Sequence, residues 1–188
     1  MTRLETERLV LRPWKESDRD FWADLNADPE VMRFFETTRS RAESDAIFES
    51  LKGHFLVHTL GFWVLERKAD REPVGFAGLQ HTDFDAPFTP AVEIGWRLKR
   101  AEWGKGYATE AAVASLAYAF GPLALNEVIS FTVPTNVKSR RVMERIGMLR
   151  DRAKDFDHPL LRENSALRPH VAYSITRKAW EAQQRQGA

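Results

Sequence analysis

The stretch AVEIGWRLKRAEWGKGYATEAAVASLAYAF, residues Ala91 to Phe120, decides the fold. It begins with an apolar run rich in β-forming residues from Ala91 to Leu98. It continues through a basic turn that holds Gly104 and Gly106, and it ends in an alanine-rich segment with helical periodicity. This pattern predicts a strand, a glycine loop and a helix in direct succession.

A join of this kind is suited to binding an anion. The first N–H groups of a helix have no partner within the helix, and the helix dipole adds positive potential there. The glycines let a ligand approach the backbone, and Lys105 between them can add a cation. The expected ligand is a phosphate or pyrophosphate, although the same residues are compatible with an ordinary strand-to-helix turn.

Two well-known phosphate loops do not match this segment. A Walker loop needs Lys and then Ser or Thr after its second glycine, but Tyr107 and Ala108 follow Gly106. A dinucleotide fingerprint needs a third glycine, and Thr109 occupies that position. ATP and NAD are therefore not the favoured ligands.

The loop resembles that of the Gcn5-related N-acetyltransferase (GNAT) superfamily, whose pattern Gln/Arg-x-x-Gly-x-Gly/Ala falls on residues 103–108. Trp103 departs from the usual Gln or Arg, but the form WGKGYATEA is typical of the RimJ/RimL branch, as is the opening TERLVLRP. The resemblance implies acetyl-CoA as the acetyl donor, with its pyrophosphate on the N–H groups of this loop. The cofactor-binding residues so implied are Leu98, Trp103, Gly104, Lys105, Gly106, Tyr107, Ala108, Thr109 and Asn136.

The fold that the resemblance implies is an α/β (α+β) acyl-CoA N-acyltransferase fold, with a twisted, mostly antiparallel central sheet flanked by helices. The 188 residues suffice for one domain spanning residues 1–188. Besides the central stretch, the patterns predict the following elements: strands over 4–14, 62–67, 73–81, 126–133, 149–156 and 170–175, and helices from Ser17, over 28–35, over 41–59, from Asn136 to a left-handed cap at Gly147, and from Thr176.

Composition excludes several classes of function. The net charge of +1 gives no electrostatic basis for nucleic acid as the main partner. The chain has no cysteine, which excludes disulfides, cysteine-ligated zinc and a cysteine nucleophile. A charged N-terminus and the lack of a long apolar run favour a cytoplasmic location without membrane contact. The oligomeric state stays open, a homodimer included.

Acetyl transfer to an amine requires removal of the amine proton and stabilisation of the leaving thiolate. Glu93 lies on the central strand and matches a glutamate that several superfamily members use as the base; the alternative is a buried structural carboxylate. Ser139 is the branch's counterpart of the usual tyrosine acid, whose position is Met143 here; the alternative is a role in capping the helix. Asn136 is expected to bind the pantetheine amide, to cap that helix, or both.

Other candidate residues have simpler explanations. Phe34, Phe35 and Phe48 could line an acceptor pocket, but core packing also explains them. His54 and His58 are one helical turn apart, as metal ligands can be, but no glutamate or cysteine accompanies them, so no metal is expected.

The acceptor is the least determined part of the function. The branch resemblance implies the α-amine of a peptide or protein. A small amine such as an antibiotic, polyamine or amino acid is the enzymatic alternative, and a non-catalytic acyl-CoA sensor is the alternative from another class.

Overall fold

The computed structural model describes residues 2–57 and 59–187, and the side chains of residues 54–57 and 187 lie outside the description. Two compact units are present. The first contains the described residues up to Leu79 together with Gly95–Ala114, and the second contains Gln80–Ile94 and the described residues from Ser115 onward. In the described part of the chain, no helix is long and apolar enough to cross a membrane.

The first unit is built on an antiparallel meander in the order β1-β2-β3-β4. Leu4 lies opposite Leu11, Leu9 opposite Arg67, and Phe62 opposite Gly78. The strands of this meander are β1 (Leu4–Glu5), β2 (Leu9–Arg12), β3 (Phe62–Arg67) and β4 (Pro73–Thr82), of which the last three residues belong to the second unit.

Two helices of the first unit cover this meander with apolar side chains. They are α1 (Arg19–Ala27) and α2 (Arg41–Val57). Phe21, Trp22 and Leu25 are buried on one side of α1, as their helical spacing predicts. The hairpin of β3 and β4 is confirmed. Helix α2 confirms the helix predicted over 41–59 as far as Val57, and residue 58 lies outside the described part of the chain.

The second unit contains a mixed sheet in the order β5-β6-β9-β7, with β8 pairing to β9. Strand β5 runs parallel to β6, with Glu93 opposite Ile129, whereas β6 and β9 are antiparallel. The strands are β5 (Ala91–Leu98, whose second half belongs to the first unit), β6 (Glu127–Thr132), β7 (Leu149–Arg150), β8 (Phe156–Asp157) and β9 (Pro169–Thr176).

The remaining helices are α3 (Tyr107–Phe120), α4 (Val137–Arg145) and α5 (Arg177–Gly187). Ala111, Ala112 and Ala119 are fully buried on α3, because small side chains allow a helix to pack closely. Gly147 has φ 84°, and the amide of Met148 bonds to the carbonyl of Met143. The predicted left-handed cap of α4 is thereby confirmed.

The central stretch has the predicted architecture. Strand β5 ends at Leu98, a 3₁₀ turn covers Arg100–Glu102, and α3 begins at Tyr107, directly after the two glycines. The strands predicted over 126–133 and 170–175, and the helix from Thr176, are likewise confirmed to within a residue or two. Mostly antiparallel strands flanked by helices are the architecture that the resemblance implies.

Three predicted elements are wrong, and in each case local polar bonds decide the outcome. The strand predicted over 4–14 is two short strands, because the Thr6 amide and hydroxyl both bond to the Leu9 carbonyl in a turn. All four residues of β2 are buried, Arg12 included.

The helix predicted over 28–35 is a series of turns and bends. The carboxylate of Asp28 accepts from the amides of Glu30 and Val31, which fixes a turn in place of a helix. The strand predicted over 149–156 is interrupted by a 3₁₀ turn at Arg152–Lys154, where the Asp151 carboxylate accepts from the amide of Ala153.

Candidate functional site

The glycine loop has the backbone conformation that its sequence suggested. Gly104 and Gly106 have φ values of 78° and 85°, in the left-handed region that favours glycine. A Cβ at Gly106 would lie 3.3 Å from Nη2 of Arg8. The N–H groups of the first turn of α3, from Tyr107 through Thr109, have no acceptor within the helix, so the loop offers backbone donors to an anion.

Arg8 and Glu110 contact the glycine loop and stabilise its position. The sequence did not identify either residue as part of the site. Arg8 donates through Nη1 to the carbonyl of Lys105 at 3.0 Å and through Nε to Glu110 at 2.7 Å. Its guanidinium also lies 4.7 Å from the ring centre of Tyr107. Partial burial opposes the charge of Glu110, but hydrogen bonds from Thr6 and Arg8 outweigh it and lower its pKa.

Trp103, at the position where the sequence departs from the superfamily pattern, ties the loop to β5. Its indole Nε1 donates to the carbonyl of Leu98 at 3.0 Å, and Leu98 is itself buried. The ammonium of Lys105 donates to Glu102 at 2.9 Å, and Arg67 bonds to the same carboxylate. Lys105 therefore already has an ion-pair partner, although its side chain is about half exposed.

Glu93 is held by one neighbour in the second unit. Oε2 of Glu93 accepts a hydrogen bond of 2.8 Å from the hydroxyl of Thr82, which is buried. Burial raises the pKa of Glu93 to about 7, against the opposing effect of the Thr82 bond. Among the residues that the structure describes, no cation pairs with this carboxylate. A carboxylate that titrates near neutrality and lacks a counter-ion is suited to proton transfer.

Asn136 and Ser139 are brought together at the start of α4. Oδ1 of Asn136 accepts from the Ser139 amide at 3.3 Å, so Asn136 is the N-cap of the helix. Nδ2 of Asn136 donates to the hydroxyls of Thr132 and Ser139, at 3.0 and 3.1 Å. Both hydrogens of the amide are therefore used internally. The Ser139 hydroxyl accepts from Asn136, which leaves its own hydrogen for another acceptor.

The rest of α4 does not supply a tyrosine acid. Met143, at the position of the usual tyrosine, is buried in the core. Arg140 donates to the hydroxyl of Tyr173 and to the carbonyl of Pro134. This arginine supports the helix instead of pointing freely into solvent.

An aromatic cluster lies in the same unit as Glu93, and sequence reasoning missed it. Phe84 and Phe88, from the loop that follows β4, pack on Phe131 of β6 with ring centres 5.7 and 5.9 Å apart. Burial, together with the neighbouring His170, lowers the pKa of His158 to about 4. The cluster consists of Phe84, Phe88, Phe131, Phe156, His158 and His170.

The aromatic residues proposed for an acceptor pocket have different environments. Phe48 is fully buried in the core, as the simpler explanation predicts, whereas Phe35 is 43% exposed. The side chain of His54 and the whole of His58 lie outside the described residues. Over residues 2–57 and 59–187, no cluster of three or more potential metal ligands is present.

The predicted site residues thus fall into two groups. Leu98 and residues 103–109 form one continuous segment of the first unit, and Glu93, Asn136 and Ser139 lie in the second unit. The tie from Arg8 to Glu110 joins residues 102 positions apart, so no local pattern could have identified it. Thr82 and Glu93 are 11 positions apart, on two strands that follow each other in the chain, so their bond was easier to anticipate.

The chain matches a family model and several known proteins. Residues 8–149 match the family model described as "Acetyltransferase (GNAT) domain". The FsC-acetyl coenzyme A-N(2)-transacetylase of Aspergillus fumigatus is 34% identical over 186 residues, which cover 94% of this chain and 77% of that protein.

Solved structures show the same fold. An acetyltransferase from Agrobacterium tumefaciens is 29% identical, with a TM-score of 0.74 over 93% of this chain and 94% of that one. Spermidine N-acetyltransferase from Vibrio cholerae, in complex with CoA and spermine, has a TM-score of 0.73 at 18% identity, over 94% of this chain and 99% of that one. With the family match across most of its length, the chain belongs to the GNAT family and is an acetyl-CoA-dependent N-acetyltransferase.

Proposed function

We propose that the protein transfers acetyl from acetyl-CoA to an α-amine, with Glu93 as the general base. The observation that carries this proposal is the buried carboxylate of Glu93, which has a hydroxyl donor in Thr82 and a pKa raised to about 7 by burial. At neutral pH, a substantial fraction of such a carboxylate is ionised and ready to accept a proton.

The cost of deprotonating the acceptor differs between two classes of amine. An α-ammonium has a pKa of about 8, so transfer of its proton to a base at about 7 costs about 1.4 kcal/mol. An alkylammonium like that of lysine has a pKa of about 10.4, and the same transfer costs about 4 to 5 kcal/mol. Proton transfer to Glu93 therefore costs about 3 kcal/mol less from an α-amine than from a polyamine or a lysine side chain, a difference that the pKa values of the amines set.

The remaining roles follow the resemblance to the superfamily. Residues 103–109 bind the pyrophosphate through backbone N–H groups, and backbone N–H groups near Leu98 polarise the acetyl carbonyl. The ammonium gives one proton to Glu93. The neutral amine then forms the new N–C bond, the C–S bond breaks, and the second proton that leaves the nitrogen neutralises the thiolate. Ser139 donates a hydrogen bond to the departing thiolate, whose solution pKa is about 8.5. Asn136 orients Ser139 through the two bonds between them.

Two kinds of α-amine are candidates for the acceptor. The WGKGYATEA form of the loop supports the N-terminal α-amine of a peptide or protein, as in the RimJ/RimL branch. The relative from Aspergillus fumigatus, whose name describes transfer to an N(2) nitrogen, supports a small molecule instead.

The test is release of CoA thiol from acetyl-CoA with three acceptor panels, followed by mass spectrometry of the products. The panels are short peptides with free N-termini, small molecules with an α-amine, and alkylamines such as spermidine. Turnover with either α-amine panel supports the proposal and selects the acceptor class. Turnover confined to alkylamines, or tight binding of acetyl-CoA with no turnover, contradicts it.

A further inference from the structure

Arg97 lies in the first unit, near the end of β5, and reaches into a partly aromatic environment. Its Nη1 donates to Oδ1 of Asn26 at 2.7 Å and lies 3.3 Å from the sulfur of Met32. The face of the guanidinium is 4.2 Å from the ring centre of Phe35 and 5.2 Å from that of Phe76. The residue is thus held in place by neutral groups alone.

Arg97 differs in this respect from the other buried arginine of the same unit. Arg12 bonds to both carboxylate oxygens of Asp18, at 2.7 and 2.8 Å, and also pairs with Glu66. Among the described residues, no acidic side chain pairs with Arg97. A buried charge ordinarily has a partner, because removing it from water is costly.

The surroundings of the two arginines shift their pKa values in opposite directions. Burial, with a smaller effect from the nearby positive charge of Arg39, lowers the pKa of Arg97 to about 10. Burial also opposes the charge of Arg12, but the bonds from Asp18 and Glu66 outweigh it and raise its pKa. The surroundings of Arg97 therefore lack negative charge, and an anion would supply it.

The free hydrogen-bonding capacity of Arg97 lies on one edge of the guanidinium. Its Nε is buried and has no partner in the described part of the chain. The hydrogens on Nε and Nη2 point the same way, at the spacing that a carboxylate accepts with both oxygens. The ring over the guanidinium belongs to Phe35, which is 43% exposed and lies in the irregular segment 28–40. Of the two rings nearest the guanidinium, Phe35 is thus a surface side chain, whereas Phe76 is buried in the core.

We propose that Arg97 binds a carboxylate group of the acceptor, so that the acceptor is an amine that also carries a carboxylate. This inference rests on the proposed function for the identity of the amine, but the anion site itself does not depend on it. A planar carboxylate fits the flat, aromatic surroundings of Arg97. The exposed side chain of Arg39 adds a second positive charge nearby.

The kinetic test compares acceptors as matched pairs, each amine with a free carboxylate and with the corresponding carboxamide. In the wild type, the carboxylate form is expected to have a KM at least about tenfold lower than the carboxamide, with a similar kcat. Arg97→Gln should abolish this difference. Arg97→Lys should retain part of it, because lysine keeps the positive charge but cannot donate two parallel hydrogen bonds to one carboxylate. Arg3→Gln, which changes an exposed arginine, is the control and should retain the full difference.

A binding test without turnover separates this inference from the proposed function. Succinate, which has carboxylates but no amine, and pyrophosphate are titrated by calorimetry into the CoA-bound wild type and the same variants. Succinate affinity that falls about tenfold in Arg97→Gln supports the site even if no amine is acetylated. If pyrophosphate binding depends on Arg97 and succinate binding does not, the anion is a phosphate, and the proposal is wrong.

Acetylation that proceeds equally with carboxylate and carboxamide acceptors, together with no succinate binding, overturns the inference and leaves the acetyltransferase activity intact. If Arg97→Gln does not fold, succinate binding is measured in Arg97→Lys and in Arg39→Gln instead. Each should weaken succinate binding several-fold while circular dichroism shows a native spectrum. Unchanged succinate binding in both variants would equally contradict the proposal.

Discussion

The hydroxyl of Thr82 donates a hydrogen bond of 2.8 Å to Oε2 of Glu93. This bond favours the ionised carboxylate, whereas burial favours the protonated form and has the larger effect. The balance places the pKa of Glu93 at about 7. A catalytic role for Glu93 can therefore be tested by changing either influence.

Replacing Thr82 with valine removes the donor and keeps a similar shape. The pKa of Glu93 should rise. In a plot of kcat against pH, the rise in rate on the acidic side should therefore move to higher pH by about 0.5 to 1 unit. Thr82→Ser, which restores a hydroxyl, should return the limb towards its original position. A limb that does not move in Thr82→Val would show that this bond does not tune the base.

Glu93 should also make stability depend on pH. Its pKa in the folded state, about 7, lies above the ordinary value of 4.5. The folded state therefore binds this proton more tightly than the unfolded state. The stability that results is fully present below about pH 4.5 and is lost as the pH rises through about 7.

Glutamine cannot ionise, so Glu93→Gln should be more stable than the wild type at pH 8, by up to about 3 kcal/mol, and about equally stable at pH 4.5. Urea denaturation at both pH values measures the difference. The exposed Glu163→Gln should show no such dependence. Equal stabilities of Glu93→Gln and wild type at pH 8 would indicate that the carboxylate is not buried as described.

The glycine loop is tested through Gly106, whose φ is 85°. Valine there is strained by about 1 to 2 kcal/mol and must displace Nη2 of Arg8. Calorimetry should show a loss of acetyl-CoA affinity of more than about tenfold in Gly106→Val.

Gly53→Ala provides the matched control for this substitution. Gly53 lies within α2, and a Cβ there meets nothing within 4 Å. The change should leave acetyl-CoA affinity intact and stabilise the helix by about 0.5 to 1 kcal/mol. Normal affinity in Gly106→Val would argue against the pyrophosphate placement.

Ser139 is expected to assist the leaving thiolate. Ser139→Ala should lower kcat by about tenfold, because a hydrogen bond to a charged sulfur is lost, while the Asn136 cap of α4 persists through the backbone amide. Ser139→Thr retains a hydroxyl and should keep most of the rate. If the alanine variant turns over normally, Ser139 serves only as a partner of Asn136.

The central stretch was predictable from the sequence because its signals are local. The strand over Ala91–Leu98, the two glycines and the helix from Tyr107 follow from periodicity and from the backbone freedom of glycine. The caps at Asn136 and Gly147 were predictable for the same reason.

What the sequence did not reveal depends on contacts between distant residues. The pairing of Arg12 with Asp18 and Glu66 allows a charged residue to be buried at the end of β2, which no local pattern predicts. The support of the loop by Arg8 and the cluster around Phe131 likewise join segments far apart in the chain. The partnerless edge of Arg97 becomes visible only once its neighbours are placed.

The most direct test of the account is the pH dependence of kcat, at saturating acetyl-CoA and a peptide or small α-amine acceptor, in the wild type and in Glu93→Gln. The account predicts that the wild-type rate rises with pH through about 7, and that Glu93→Gln binds acetyl-CoA normally but has lost this limb and at least about a hundredfold in rate. A Glu93→Gln enzyme with full turnover and an unchanged profile would contradict it.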